Sequence, residues 1–306
     1  MSILPSPVPK STRGGRRRIR WVEAEGGGRG QSGRRCRDVW CYLERHYIQF
    51  IIQTPEVWGA RVDAIDRLEV AIAGSELRLM ASMRERDPDV DLAIRFQTAL
   101  GIEYSGPAPA AAVSAWHNVS RLNMDFYEVT ESLECLSAIP IYLRSFPYRK
   151  LGISRSGYLQ YHTENWLHET YILEKRFESC FTRLKRDYRH DQLSGEVARA
   201  VDAGISLIRT SLRSAKAVRS DHVHKSRAVD RDILILRSEE LRGAHTAEQS
   251  NEVEPMFRRV RRLKAKELDE LSRQIRSVVD QALAPLCEVI VVWDLPNPHL
   301  RLPAPV

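Results

Sequence analysis

Apolar side chains recur every three or four residues through most of this chain, and this spacing is the feature that most constrains its fold. One ladder follows Ser194, and its members are Val197, Val201, Ile205, Ile208, Leu212 and Ala215. A period near 3.6 residues places such positions on one face of an α-helix, whereas a half-buried strand would alternate. The C-terminal half is therefore expected to contain four helices, at about 156–189, 194–215, 226–242 and 255–282, with a break at Arg219–His224.

The N-terminal half shows the same periodicity together with helix-start signals. Trp40, Leu43 and Tyr47 recur at helical spacing. Threonine or aspartate followed by proline is typical of a helix start, because proline is tolerated at the first helical position. These signals predict helices at about 55–84 and 88–101, and the pattern predicts another from Pro109 to Ala138. Pro140 and Pro147 are expected to bracket an irregular stretch. The fold class predicted for the whole chain is all-α.

Composition and helical pattern together divide the chain into three regions. Residues 1–36 are rich in Pro, Gly and Arg and carry nine basic and two acidic side chains, so we interpret them as a disordered basic tail. The remaining residues hold 38 basic and 38 acidic side chains and are therefore neutral. Residues 37–150 are predicted to form a helical N-terminal region, and residues 151–306 a helical bundle with short loops.

The sequence also argues against several classes of protein. It has no run of 18 apolar residues, so no membrane association is expected. Its five cysteines are scattered without a CxxC pair, which favours a reducing compartment, and we expect a cytoplasmic protein. His222 and His224 form an HxH pair without companion ligands, so no metal is predicted. Because there is no glycine-rich phosphate loop after a strand, no cofactor is expected either.

The strongest functional pattern is the segment Arg219-Ser220-Asp221-His222-Val223-His224, in which an arginine precedes a histidine by five positions. It follows a strongly apolar helix and has small or polar neighbours. The alternative interpretation is structural, with Arg219 and His224 capping helix ends and pairing with acidic side chains.

This segment resembles the Arg-His motif of HEPN domains, which are bundles of four or five helices. The segment Tyr161–Phe177 also looks like the first helix of such domains, and the resemblance covers about Ser154 to Ala284. It implies an up-and-down bundle and a metal-independent endoribonuclease that acts in toxin, defence or RNA-processing systems. It further implies RNA as a partner, a homodimer that brings two motifs together, and in some systems an antitoxin protein.

The chemistry implied by the resemblance assigns a role to each residue of the motif. His224 would take the proton of a ribose 2′-hydroxyl, since an unperturbed imidazole has a pKa near about 6.5. Arg219 would stabilise the charge on the phosphoryl oxygens through its planar guanidinium. Ser220 or Asp221 would orient the histidine or contact the ribose. His222 and Glu169 are candidates for supporting roles.

A basic run in the last predicted helix is the candidate RNA-binding surface. Arg258, Arg261, Arg262 and Lys266 are three or four residues apart and so share one face of a helix. They would track phosphates beside the cleft, whereas the alternative is an ordinary solvated helix face. For the whole protein, the alternative to an endoribonuclease is a non-catalytic dimeric helical binding or scaffold module.

Overall fold

A computed structural model describes residues 62–84, 110–145, 153–224, 230–243, 247–293 and 298–303. All of them belong to one compact unit, Glu56–Val306. The predicted tail over 1–36, the helix that begins near Trp40 and the short helix over 88–101 lie outside the described residues, as does the start of the helix predicted from residue 55.

Helices account for nearly all of the described residues. Their bounds are α1 Ala64–Arg84, α2 Ala110–Ser145, α3 Arg155–Asp187, α4 Ser194–Ser211, α5 Arg213–His224, α6 Arg231–Gly243 and α7 Ala247–Ile290. Two residues each form β1 (Val291–Val292) and β2 (His299–Leu300), which pair antiparallel. The predicted all-α class is therefore confirmed, and the apolar run at the end of α7 supplies one of the short strands.

Three prolines do not interrupt the helices that contain them. Helix α2 continues through Pro140 to Ser145, so the predicted end near Ala138 and the irregular stretch at Pro140 are wrong. Helix α7 begins at Ala247, before Pro255, and continues past Pro285. A proline removes one backbone donor and weakens a helix, but packing along both sides of a long helix overrides that local cost.

The break predicted at Arg219–His224 is also in the wrong place. Helix α4 ends at Ser211, and α5 begins at Arg213 and continues to His224. The residue between them, Leu212, is only 3% exposed. Its burial places the interruption between the two helices in the core, although the apolar ladder continues in the sequence.

The core is continuous across most of the described helices. Helix α3 packs against α2, α4, α5 and α6, and α7 packs against α1, α2, α4 and α6. At its centre, the ring of Phe177 lies 4.4 Å from that of Phe181, which lies 6.5 Å from Phe126 of α2. One hydrophobic cluster therefore includes residues from both sides of the boundary placed near residue 150. The division into two folding regions stays a prediction.

Two glycines allow close backbone approaches that hold the ends of this core together. A β-carbon on Gly204 of α4 would lie 2.8 Å from the carbonyl oxygen of Ala282 in α7. A β-carbon on Gly74 of α1 would meet the carbonyl oxygen of Pro298, next to β2. Beside that contact, the backbone N–H of Leu300 donates to Ser75 Oγ at 2.7 Å. Larger side chains at these glycines would separate the packed elements.

Candidate functional sites

The Arg-His motif lies on the last two turns of α5. The backbone from Arg219 to His224 is helical, and the side chains of this segment lie outside the described part of the structure. In a regular helix, five residues correspond to a rotation of about 140° around the axis and a rise of about 7.5 Å. The two backbone positions therefore do not share one face of α5.

Helix α5 is held on α3 by an ion pair near its beginning. Lys216 Nζ donates to Glu174 Oε1 at 2.8 Å. The Glu174 side chain is only 1% exposed, and the Lys216 side chain is 47% exposed. Among the described residues, the buried Glu174 Oε2 has no hydrogen-bond partner. A carboxylate buried in this way needs its cation, so the pair fixes where α5 begins on the bundle.

Two further basic side chains near the beginning of α5 are neutralised by another acid. Glu178 Oε1 accepts from Arg209 Nε at 2.5 Å, and its Oε2 accepts from Lys175 Nζ at 2.8 Å. Burial raises the pKa of Glu178, but the hydrogen bonds from Arg209 and Lys175 outweigh it, so the pKa is lowered overall. The charges of Lys216, Arg209 and Lys175 are therefore already paired with Glu174 and Glu178.

The four predicted RNA-binding residues lie on α7, but they differ in their surroundings. Arg258 is exposed, and its Nε donates to Glu254 Oε1 at 2.9 Å. The guanidinium of Arg261 lies 5.3 Å from the ring centroid of Phe257. Arg262 and Lys266 are exposed and have no ion pair with any described residue. Two of the four cations are therefore both exposed and without an ion pair to a described residue, which suits either a phosphate surface or a solvated helix face.

The predicted place of this basic run beside the motif stays a prediction. The main contacts of α5 are with α3 and α4, whereas α7 packs mainly on α1, α2, α4 and α6. Lys264, a further cation of the run, is 9% exposed and pairs with Asp230 and Glu267. Burial lowers its pKa, but the hydrogen bonds that it donates to those two carboxylates raise it overall. Lys264 is therefore a structural residue.

The described helices also enclose a pocket that the sequence did not predict. It lies between α2 and α3 and has a volume of about 630 Å³. Its wall is mostly aromatic and aliphatic, with four polar or ionisable side chains at intervals. The polar members are Cys135, His162, Asn165 and Glu169. A pocket of this size and composition is typical of binding sites for small molecules.

The aromatic part of the wall is built around His162. The Tyr158 and Tyr161 rings contact the imidazole edge-on, with centroids 4.7 and 5.3 Å away. Tyr158 Oη donates to the backbone carbonyl oxygen of Tyr142 at 2.6 Å, which joins α3 to α2 across the pocket. The His162 Nδ1 atom is buried and has no hydrogen-bond partner among the described residues. The aromatic frame therefore surrounds a buried polar atom that has no partner among the described residues.

Glu169 belongs to this pocket, and it lies five residues before Glu174 on α3. Five residues again correspond to a rotation of about 140° on a regular helix. The position that lines the pocket and the position that binds α5 therefore do not share one face of α3. The supporting role predicted for Glu169 at the Arg-His motif stays a prediction. The i, i+3, i+4 recurrence of Tyr158, Tyr161 and His162 was the available signal for the pocket, but it is also typical of core packing.

Comparison with known proteins gives no relative for this chain: no family model, curated protein or solved structure matches it. Within the described ranges, no helix is both long enough and apolar enough to cross a membrane. The same residues contain no group of three or more His, Cys, Asp or Glu side chains that could hold a metal ion.

Burial of His162 is expected to make the stability of the protein sensitive to mild acid. Desolvation lowers the pKa of His162 in the folded protein, whereas histidines of the unfolded chain titrate near about 6.5. The unfolded chain therefore takes up the proton first as the pH falls. The contribution of neutral His162 to the free energy of unfolding is fully present above the pKa of the unfolded chain. As the pH falls from there to the lowered pKa of the folded protein, this contribution decreases by at most about 1.4 kcal/mol per pH unit.

The measurement is the free energy of unfolding in urea at about pH 7.5 and about pH 5.5, on either side of the unfolded-state value. His162→Phe keeps a ring between Tyr158 and Tyr161 but cannot titrate. We expect its loss of stability between the two pH values to be smaller than that of the wild type. Equal losses in the two proteins would show that His162 is not the group responsible.

Proposed function

We propose that this chain is a metal-independent endoribonuclease of the HEPN type whose active site is shared between two copies. The observation that carries the proposal is the continuous helix from Arg219 to His224. Because the two positions lie about 140° apart around one helix, they are poorly placed to contact the same phosphate within a single copy. A two-fold dimer resolves this difficulty, since it brings Arg219 of one copy towards His224 of the other.

In the proposed reaction, His224 takes the proton of a ribose 2′-hydroxyl. The 2′-oxygen forms a bond to the adjacent phosphorus, and the bond from phosphorus to the 5′-oxygen of the next nucleotide breaks. The leaving 5′-oxygen takes a proton from water, so the products carry a 2′,3′-cyclic phosphate and a 5′-hydroxyl. Arg219 stabilises the charge that builds on the phosphoryl oxygens, and Ser220 or Asp221 positions the ribose.

Of the four predicted RNA-binding residues, Arg262 and Lys266 are the best suited to hold the rest of the RNA, because both are exposed and have no ion pair with a described residue. Their attraction to phosphates would not depend on sequence and would weaken with salt. The biological setting that fits such an enzyme is a toxin, a defence system or RNA processing in the cytoplasm, with an antitoxin protein as partner where it acts as a toxin.

The test is a complementation assay with two inactive variants, Arg219→Ala and His224→Ala. Each variant alone is expected to leave mixed RNA intact in the presence of EDTA. If the site is shared, mixed dimers contain one complete site. Random exchange then restores about a quarter of the wild-type activity, because half of the dimers are mixed and each has one good site of two.

Three results would contradict this proposal. If the purified wild-type protein leaves RNA intact, the endoribonuclease proposal fails. If the wild type cleaves RNA but the mixed variants stay inactive, the shared site fails. A new 3′-hydroxyl at the cleaved position would exclude attack by the 2′-hydroxyl.

The second candidate function is a non-catalytic binding or scaffold module. The specific observation in its favour is the pocket between α2 and α3, which offers a binding site independent of any reaction at α5. This function predicts intact RNA with the wild-type protein and with every variant of the motif, together with ligand binding at the pocket.

A further inference from the structure

We infer that the pocket between α2 and α3 is a binding site for an organic cation with an apolar body, such as a heteroaromatic amine that is protonated at neutral pH. The proposal rests on three features of the described residues. They are the aromatic wall, the carboxylate of Glu169 at the pocket surface, and the acidic surroundings of α2. None of them depends on the Arg-His motif, so this site goes beyond the proposed RNA cleavage.

The shape and wall of the pocket set the size and the apolar character of the ligand. A volume of about 630 Å³ is enough for a molecule of several rings. Tyr142, Tyr161 and Ile153 line the pocket and are 54%, 59% and 45% exposed, so the apolar surface extends to its rim. Large apolar side chains exposed around a concavity are typical of a site that buries them when a ligand binds.

The charge at the pocket determines the sign of the charge that the ligand should carry. Glu169 lines it and has no ion pair or hydrogen bond with any described residue. Burial raises the pKa of the Cys135 thiol, and the carboxylates of Glu169, Glu131 and Glu134 raise it further. The potential at the α2 side of the pocket is therefore negative.

Arg176, the cation that opposes these carboxylates at Cys135, is already bound by other groups. Its Nη2 lies 2.5 Å from Glu128 Oε2, and its Nη1 donates to Ser132 Oγ at 2.8 Å. The guanidinium therefore bonds to α2 instead of neutralising Glu169, and a positive ligand meets an unpaired carboxylate.

The polar atoms of the wall also favour a ligand that donates hydrogen bonds. Glu169 as a carboxylate accepts only. Burial lowers the pKa of His162, which disfavours a positive charge on the imidazole beside a cationic ligand. Tyrosine faces attract cations because the ring quadrupole is negative there. An ammonium on a flat apolar body satisfies all three, whereas a carboxylate on the same body would repel Glu169.

The test uses two matched probes, 9-aminoacridine, which is a cation, and acridine-9-carboxylate, which is an anion with the same ring system. Equilibrium dialysis with the full chain measures both dissociation constants. We expect the cation to bind at least about tenfold more tightly than the anion. Glu169→Gln keeps the size of the side chain and should reduce that preference to within about threefold.

Two variants separate the pocket from general surface charge. Glu164→Gln removes a carboxylate from the same helix at a position that does not line the pocket, and it should leave the preference unchanged. Ala138→Phe fills the pocket from the α2 side and should abolish binding of the cation. Thermal unfolding of each variant establishes that it is folded before its binding is compared.

Equal binding of the two probes by the wild type would overturn the proposal. Retention of the full preference by Glu169→Gln, or undiminished binding of the cation by a folded Ala138→Phe variant, would overturn it as well. Binding of the anion alone would show a site of the opposite charge. None of these results depends on whether the protein cleaves RNA.

Discussion

Replacement of His224 with alanine is expected to lower the rate of RNA cleavage by about 100- to 10,000-fold, the usual contribution of a general base. Alanine cannot take the proton of the 2′-hydroxyl, so the nucleophile is no longer activated. Residual cleavage would reflect Arg219 alone, which stabilises charge but cannot accept a proton. The measurement is the single-turnover rate on a short RNA with EDTA present.

The matched control is His190→Ala, which removes an exposed histidine from the turn that follows α3. This variant also replaces a histidine with alanine, and it should cleave RNA at the wild-type rate. His224 lies at the end of α5, so we expect both variants to keep the wild-type urea midpoint within error. Wild-type cleavage by a folded His224→Ala variant would mean that the activity comes from another site or from a contaminant.

Replacement of Phe177 with alanine is expected to destabilise the protein by about 3–5 kcal/mol, the usual cost of removing a buried aromatic ring. Phe177 is 1% exposed, and its ring lies against Phe181 in the core between α2 and α3. The deletion loses the transfer free energy of the ring and leaves a cavity that packed helices cannot close completely. Urea unfolding measures the change.

Met124→Ala on α2 is the control for Phe177→Ala, because it also shortens a large apolar side chain but at a position that is 63% exposed. Its stability should change by less than about 0.5 kcal/mol. If Phe177→Ala costs less than about 1 kcal/mol, the ring is not part of a close-packed core. A change in the slope of the free energy of unfolding against urea concentration would instead indicate a change in the compactness of the folded or unfolded state.

The position of the helices was readable from the sequence because their apolar residues follow a single period. The stripe that includes Trp166, Phe177 and Leu184 predicts a helix at 156–189, and α3 occupies Arg155–Asp187. Helix ends were predicted less well. The periodicity could not show that α2 continues through Pro140, because the cost of a proline is local and the packing that offsets it comes from other helices.

The break after α4 shows the same limit in a different way. The ladder from Val197 to Ala215 is regular, so the sequence contains no reason for an interruption at Leu212. The burial of Leu212 and the pair of Lys216 with the buried Glu174 stabilise the interruption there. Lys216 and Glu174 are 42 residues apart along the chain, and nothing in the local pattern relates them.

By itself, the sequence determined the helical class of this protein and most of its helix positions, because a period of 3.6 residues is a local property. It also supplied the Arg-His motif, whose chemistry depends on residue types. Only the tertiary structure decided that Arg219 and His224 occupy one continuous helix, that Glu174 is buried under α5, and that α2 and α3 enclose a pocket beside Glu169. These features depend on the distances between segments that are far apart in the sequence. Those distances are set by the packing of buried side chains from several helices, which no local pattern contains.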